Sequence, residues 1–310
     1  MKFNPADLVF HPFPKEGDFL PKIDYFLNNS HKPLGQEKII LIHAHNKTCI
    51  TNLNKEMKNH FCSLHGPLIE HHDNHYNNKI DIFAAEIENF LKYPNHSYEF
   101  RRFLLHDEDN YIYFWTYYLA GYVEKNSWNA AAYLCNSQLD KSTVLLDDFI
   151  LAYLAWWSIY NAGFIMHGAS IVRDNKAYIF FGPSGSGKTT VSKLSSHLDV
   201  ISDEYSMVLK MMDDFITYRP PQKKSITRLE NWQTGVPLAG IYRLKQDTRN
   251  YIEEVSPVHM VSEILANLLF AHGYNVLGTT AIANAHSIIG AAHYGILHFK
   301  KESTFWEVIT

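Results

Sequence analysis

Phe180-Phe181-Gly182-Pro183-Ser184-Gly185-Ser186-Gly187-Lys188-Thr189-Thr190-Val191 is the stretch on which the reading of this chain turns. Gly182 to Thr189 satisfy GxxxxGK[ST] in full, between an apolar run and a helical pattern of Val191, Leu194 and Leu198. That context is what a phosphate-cradling loop requires. Gly182, Gly185 and Gly187 let backbone N–H groups wrap a nucleotide's phosphates, with Ser184, Ser186 and Thr190 as further polar groups of the loop. Lys188 has the reach for the β- and γ-phosphates, and the Thr189 hydroxyl suits Mg²⁺. ATP with Mg²⁺ is therefore the expected ligand pair.

Outward from the loop, Phe164 to Val172 and Lys176 to Phe181 read as two strands. Arg173-Asp174-Asn175 forms the hairpin turn between them, Asp and Asn tolerating the backbone angles it needs. The first arm carries Met166-His167-Gly168. One short helix after the loop, Val200-Ile201-Ser202-Asp203-Glu204 reads as a strand ending in carboxylates. A carboxylate placed there can accept a proton or hold a metal during phosphoryl transfer. His167, the loop and Asp203 are thus expected to converge around one γ-phosphate.

His-Gly on a strand, a hairpin into GxSGxGK[ST], one helix and then an acidic pair together resemble the catalytic domain of HPr kinase/phosphorylase and, more closely, the HPr kinase-related proteins. Pro237 to Leu244, Ile296 to Phe299 and Phe305 to Ile309 are similar to runs in the same family. The resemblance spans about residues 146–310. It implies a phosphoenolpyruvate carboxykinase-type nucleotide fold, with Asp203 as general base for an acceptor hydroxyl and His167 as its partner. Glu204 falls at a metal-directed position, with Asp203 and Thr189 as the other metal-facing groups. The usual residue at Glu204 is Asp, so this chain places a longer side chain there. Arg219 and Lys224, in Tyr218-Arg219-Pro220-Pro221-Gln222-Lys223-Lys224-Ser225-Ile226, match a basic segment of the related kinases and are candidate phosphate clamps. The Gly-rich stretch with an acidic start that marks phosphate removal in the family is not found after residue 220.

Before residue 145 the composition changes to Asn, His, Tyr and Phe, with alternations such as Lys38 to Ile42 and Tyr111 to Phe114. Turn signals lie at Asn28-Asn29-Ser30, Asn77-Asn78 and Asp107 to Asn110. The spacing of Ile82, Ala85, Ile87 and Phe90 predicts a helix over Asp81 to Tyr93. A second helix is predicted from Asp147-Asp148 to about Asn161, apolar nearly all round and buried. The expected organisation is α/β: an N-terminal accessory α+β region over 1–145 and a phosphoenolpyruvate carboxykinase-like P-loop domain over 146–310. Ser256-Pro257 predicts an N-capped helix running to Ala271. Its Ile264, Leu265, Leu268 and Leu269 would face the nucleotide sheet or a neighbouring copy in a homo-oligomer.

The chain has 310 residues, with 28 Lys plus Arg against 32 Asp plus Glu, a formal net charge of −4. That excludes a globally basic nucleic-acid binder. Three cysteines, Cys49, Cys62 and Cys135, are too few and scattered for a disulfide framework or a CxxC zinc site. The first residues lack the apolar core of a signal peptide. The longest apolar stretch, Phe149 to Tyr160, falls short of the roughly 20 residues of a membrane span. No membrane or nucleic-acid partner is expected, and the expected compartment is the cytoplasm.

Among 18 histidines, His43 and His45 would share one face of a strand and form half a metal site. His60, His65, His71, His72 and His75 lack ligand spacing, and most of these histidines read as polar filler. Trp156-Trp157 reads as core packing. The functional expectation is transfer of the γ-phosphoryl group of ATP to a hydroxyl of a peptide, protein or small metabolite. The alternative is a regulatory module that binds nucleotide without transferring phosphate.

Overall fold

The structure is a computed structural model that describes residues 26, 31–70, 75–90, 104–108, 110–221, 235–269 and 275–309. It is mixed α/β with two sheets. The described residues divide into two compact units: those up to 38 with 50–58 and 78–149, and 39–49 with 59–77 and 150 onward.

Chain order is β1 (Lys32–Pro33), β2 (Glu37–His43), β3 (Asn46–Leu53), α1 (Lys55–His65), β4 (Ile69–Glu70) and β5 (Asn78–Ala85). β6 (Leu104–Asp107), β7 (Tyr111–Trp115), β8 (Leu119–Glu124), β9 (Ala130–Cys135) and α2 (Leu139–Tyr160) follow. In the first unit β5 runs parallel to β9, Ile80 opposite Ala130, and β9, β8, β7 and β6 form an antiparallel meander. Every residue of β9 is buried, so its apolar sequence needs no alternation.

The second unit holds β10 (Gly163–Arg173), β11 (Lys176–Phe181), α3 (Lys188–Leu194), β12 (Asp199–Ser202), β13 (Tyr205–Met211) and β14 (Asp214–Tyr218). It continues with β15 (Val236–Gln246), β16 (Tyr251–Glu253), α4 (Pro257–Leu265), α5 (Asn275–Ala291) and β17 (His293–Phe299). β10 is the hub. Its first half pairs with β13, and its second half pairs with β11 on one edge and β12 on the other. β11, β15 and β17 run parallel to one another. The β10–β11 hairpin forms where the sequence predicts it. Asp174 and Asn175 take φ of 53° and 58°, the left-handed pair that a two-residue hairpin needs to follow the strand twist. A core of Phe180, Tyr242, Leu297, Phe299, Phe305 and Trp306 fixes the ends of β11, β15 and β17.

Four expectations are corrected. Residues 78–85 form strand β5, not the start of a helix: Ile80 and Ile82 are fully buried and Lys79 and Asp81 are not. That period of two, with the parallel ladder to β9, outweighs the helical spacing of Ile82, Ala85 and Phe90; residues 91–93 lie outside the described residues. Helix α2 begins at Leu139 rather than Asp147. Ser142, polar in sequence, donates Oγ to the carbonyls of Tyr118 and Cys135 and sits fully buried. This lengthens the apolar helix to 22 residues. By length and composition alone the window around it would cross a membrane, yet 72% of that window is buried inside the protein.

Helix α4 stops at Leu265, where Asn267 donates its side-chain amide to the Glu263 carbonyl. Leu268 and Leu269 instead run beside β10, the Leu269 N–H donating to the Ile165 carbonyl. Finally, His43 and His45 do not share a strand face. β2 ends at His43, and Ala44 turns the chain with φ 53°. Of the N-terminal histidines, His43 and His65 are buried, while His71 and His72 lie outside the described residues. The predicted turn at Asn28 to Ser30 also lies outside them.

Candidate functional site

The loop Gly182 to Gly187 leaves the C-terminal end of β11 and runs into α3. Gly182, Gly185 and Gly187 have φ of 146°, 81° and 111°. At Gly187 glycine is obligatory on two counts. Its φ is left-handed, and a Cβ there would lie 2.5 Å from Cζ of Phe299. The Ser186 N–H donates to the Pro183 carbonyl and the Val191 N–H to that of Gly187, which closes the loop onto the helix. Gln246, at the end of β15, donates its side-chain amide to the Gly185 carbonyl at 2.8 Å.

Lys188 is buried, and its Nζ donates to the carbonyls of Gly182 at 2.7 Å and Pro183 at 3.3 Å. Burial holds its ammonium below the ordinary lysine range, and no carboxylate pairs with it among the described residues. A desolvated cation held only by loop carbonyls strongly favours an anion brought beside it. Ser186 Oγ is also buried without a hydrogen-bond partner. An orphaned hydroxyl, a lysine without a counter-ion and a glycine loop suit a nucleotide's phosphates.

Asp203 and Glu204 follow β12 directly. Ser202 Oγ accepts the N–H groups of Glu204 and Tyr205 and so fixes the turn that carries the acids. Glu204 is exposed and its carbonyl accepts the Gly168 N–H at 3.0 Å, which ties the acidic turn to β10 one residue past His167. His167 is exposed, its own N–H held by the Asn267 carbonyl and its ring 5.6 Å from that of Tyr205. Partial desolvation keeps the imidazole below its usual value, helped by repulsion from Lys188 and opposed by Glu204. His167 therefore lies within the electrostatic reach of both. No hydrogen bond joins it to Asp203 among the described residues.

Thr189 and Asp203 line one pocket of about 230 Å³, walled by Leu198 and Val200. The two oxygen-bearing side chains are of the type a hard divalent cation takes. Among the described residues no group of three or more His, Cys, Asp or Glu side chains is arranged to hold a metal. Arg219 is buried directly after β14, and its Nε has no hydrogen-bond partner. Its electrostatic neighbour is His65 of α1. Lys224 lies outside the described residues. All three cysteines are free.

Three residues at the site escape a reading of the motif alone: Gln246 on the loop, Phe299 beneath Gly187, and Lys193 in the pocket wall. Lys193 alone had a sequence signal, since it lies one turn after Thr189 on α3.

No protein-family profile and no curated protein matches the chain. Among solved structures it is similar to the Hpr(Ser) kinase/phosphatase from Coxiella burnetii, at 12% identity and TM-score 0.23, over 39% of this chain and 89% of that one.

Proposed function

We propose that the chain is a phosphotransferase that moves the γ-phosphoryl group of ATP to a hydroxyl. The observation that carries this reading is the shared pocket: Asp203 faces it together with Thr189, the residue that follows the loop lysine. An acid placed beside the end of a phosphate loop sits where a proton acceptor for phosphoryl transfer is needed.

In this mechanism the loop amides and Lys188 bind and orient the phosphates and offset their charge. Asp203 accepts the acceptor's proton as the new O–P bond forms and the β–γ bridging bond breaks, with ADP leaving with the electron pair. Thr189, Asp203 and Glu204 are the residues that would hold Mg²⁺, which would supply neutralisation of phosphate charge. His167 acts on the same charges from β10, where desolvation and then Lys188 disfavour its protonated form and Glu204 opposes them. Arg219 and Lys224 remain proposed clamps for phosphate charge, and residues 1–145 a proposed accessory region.

The test separates binding from transfer. Lys188→Ala is expected to weaken nucleotide binding at least tenfold and to abolish transfer. Asp203→Ala is expected to keep the affinity and lose about 10²- to 10⁴-fold in transfer, the range of a general base. Equal transfer by Asp203→Ala and wild type would sink the mechanism. Binding without transfer by wild type would leave the regulatory-module reading in its place.

A further inference from the structure

The pocket that Asp203 and Thr189 share continues along α3 past Ser192 to Lys193. Thr189, Ser192 and Lys193 are spaced i, i+3 and i+4, so they lie on one face of the helix. Thr190, about 100° further round, is not among the lining residues. The space therefore lies along the helix face of Thr189, with Asp203 lining it as well. Lys193 is exposed, and no hydrogen bond or ion pair engages its ammonium among the described residues. It lies about 6 Å along the axis from Thr189, at 1.5 Å per residue. The rest of the lining is Ser196 with the apolar Leu198 and Val200. The volume is about 230 Å³. That suits one small molecule or one residue with part of its neighbour.

We propose that this pocket is the acceptor site, and that it selects a hydroxyl carried next to an anionic group: the hydroxyl meets Asp203 and the anion meets Lys193. The assignment rests on the phosphotransferase reading and adds the class of acceptor. A carboxylate or phosphate one helical turn from the hydroxyl answers both charges of the pocket, and a short carbon skeleton packs on Leu198 and Val200. A bare alcohol would leave Lys193 unanswered, and a cationic acceptor would be repelled by it. The shared chemistry is a hydroxy-acid unit, supplied either by a free metabolite or by a serine with an acidic neighbour in a peptide.

The experiment offers Mg-ATP and wild-type protein two sets of acceptors. One is a library of seryl peptides randomised around the serine. The other is a panel of small hydroxy acids with their uncharged alcohol counterparts, glycerate against glycerol among them. Product is read by mass and nucleotide Kd is measured in parallel. Acceptors with the anion are expected to react at least tenfold faster than uncharged or cationic ones, and the set that reacts identifies the source. Lys193→Glu is expected to reverse the charge preference with nucleotide Kd unchanged. Leu198→Phe, which fills the pocket, is expected to raise the acceptor KM and leave nucleotide Kd alone.

Transfer that ignores acceptor charge, or a preference that Lys193→Glu leaves intact, overturns the assignment while phosphotransfer stands. So does a tenfold loss of nucleotide affinity in Leu198→Phe, which would give the pocket to the nucleoside. No product from any acceptor overturns phosphotransfer and this assignment together.

Discussion

The ring of Phe299 closes the space behind Gly187, leaving 2.5 Å between Cζ and the point a Cβ would occupy. The last residue of β17 thereby dictates the residue type at the helix end of the loop. Gly187→Ala must displace the ring or the loop and must also hold an alanine at φ 111°. Because Phe299 is held in the sheet core, the loop is the part expected to move, and the variant is expected to lose at least tenfold in nucleotide affinity. Titration with Mg-ATP, with circular dichroism as the folding control, checks this. An unchanged affinity would show that the loop conformation does not govern binding.

A second relationship fastens α5 to the sheet. Asn284 is buried and donates its side-chain amide to the carbonyls of Ile159 at 2.7 Å and Gly163 at 2.9 Å, where α2 gives way to β10. Asn284→Ala leaves two carbonyls without this donor. At about 1–3 kcal/mol for each buried group left unsatisfied, the expected loss for the two is about 2–6 kcal/mol. Urea unfolding of wild type and variant measures it, and a difference under about 0.5 kcal/mol, the range of ordinary surface substitutions, would contradict the bridging role.

Acid is expected to destabilise the protein from near neutrality. Burial pushes His43 down to about 3 and His65 down to about 4, with repulsion from neighbouring cationic groups adding to it. Both titrate lower folded than unfolded, so the unfolded chain takes up protons first. Stability is then full above about pH 6.5 and falls as pH drops towards about 4 for His65 and about 3 for His43. Each contributes at most about 1.4 kcal/mol per pH unit within its window. Denaturant midpoints between pH 7.5 and pH 4.5 test the slope. His65→Phe keeps an aromatic ring beside Phe61, whose ring is 5.7 Å from that of His65, and should make the slope shallower. A midpoint independent of pH over that range would refute the account.

How much of this was legible in sequence follows from the range of the interactions. The hairpin and the loop are local. Asp174-Asn175 and the glycines carry their backbone angles with them, and so both elements stand where the residues put them. Ser256 likewise caps α4, its Oγ accepting the His259 N–H. The misread elements depend on distant partners. β5 becomes a strand through its ladder to β9, and α2 extends back to Leu139 because Ser142 finds buried carbonyls. The same holds at the site. Lys188 and Thr189 stand in the motif and Asp203 at the end of the strand-like run after it, whereas Phe299 and Gln246 reach the loop from β17 and β15 and leave no mark in their own sequence.

The most direct test of the central claim is transfer itself. Wild-type protein, Asp203→Ala and Lys188→Ala are each incubated with Mg²⁺ and γ-labelled ATP, together with fractionated cell extract, and labelled products are identified by mass. The account predicts a labelled hydroxyl-bearing product from wild type, with the signal lost in both variants and ATP still bound by Asp203→Ala. No labelled product from wild type in any fraction, with ATP bound, would contradict it.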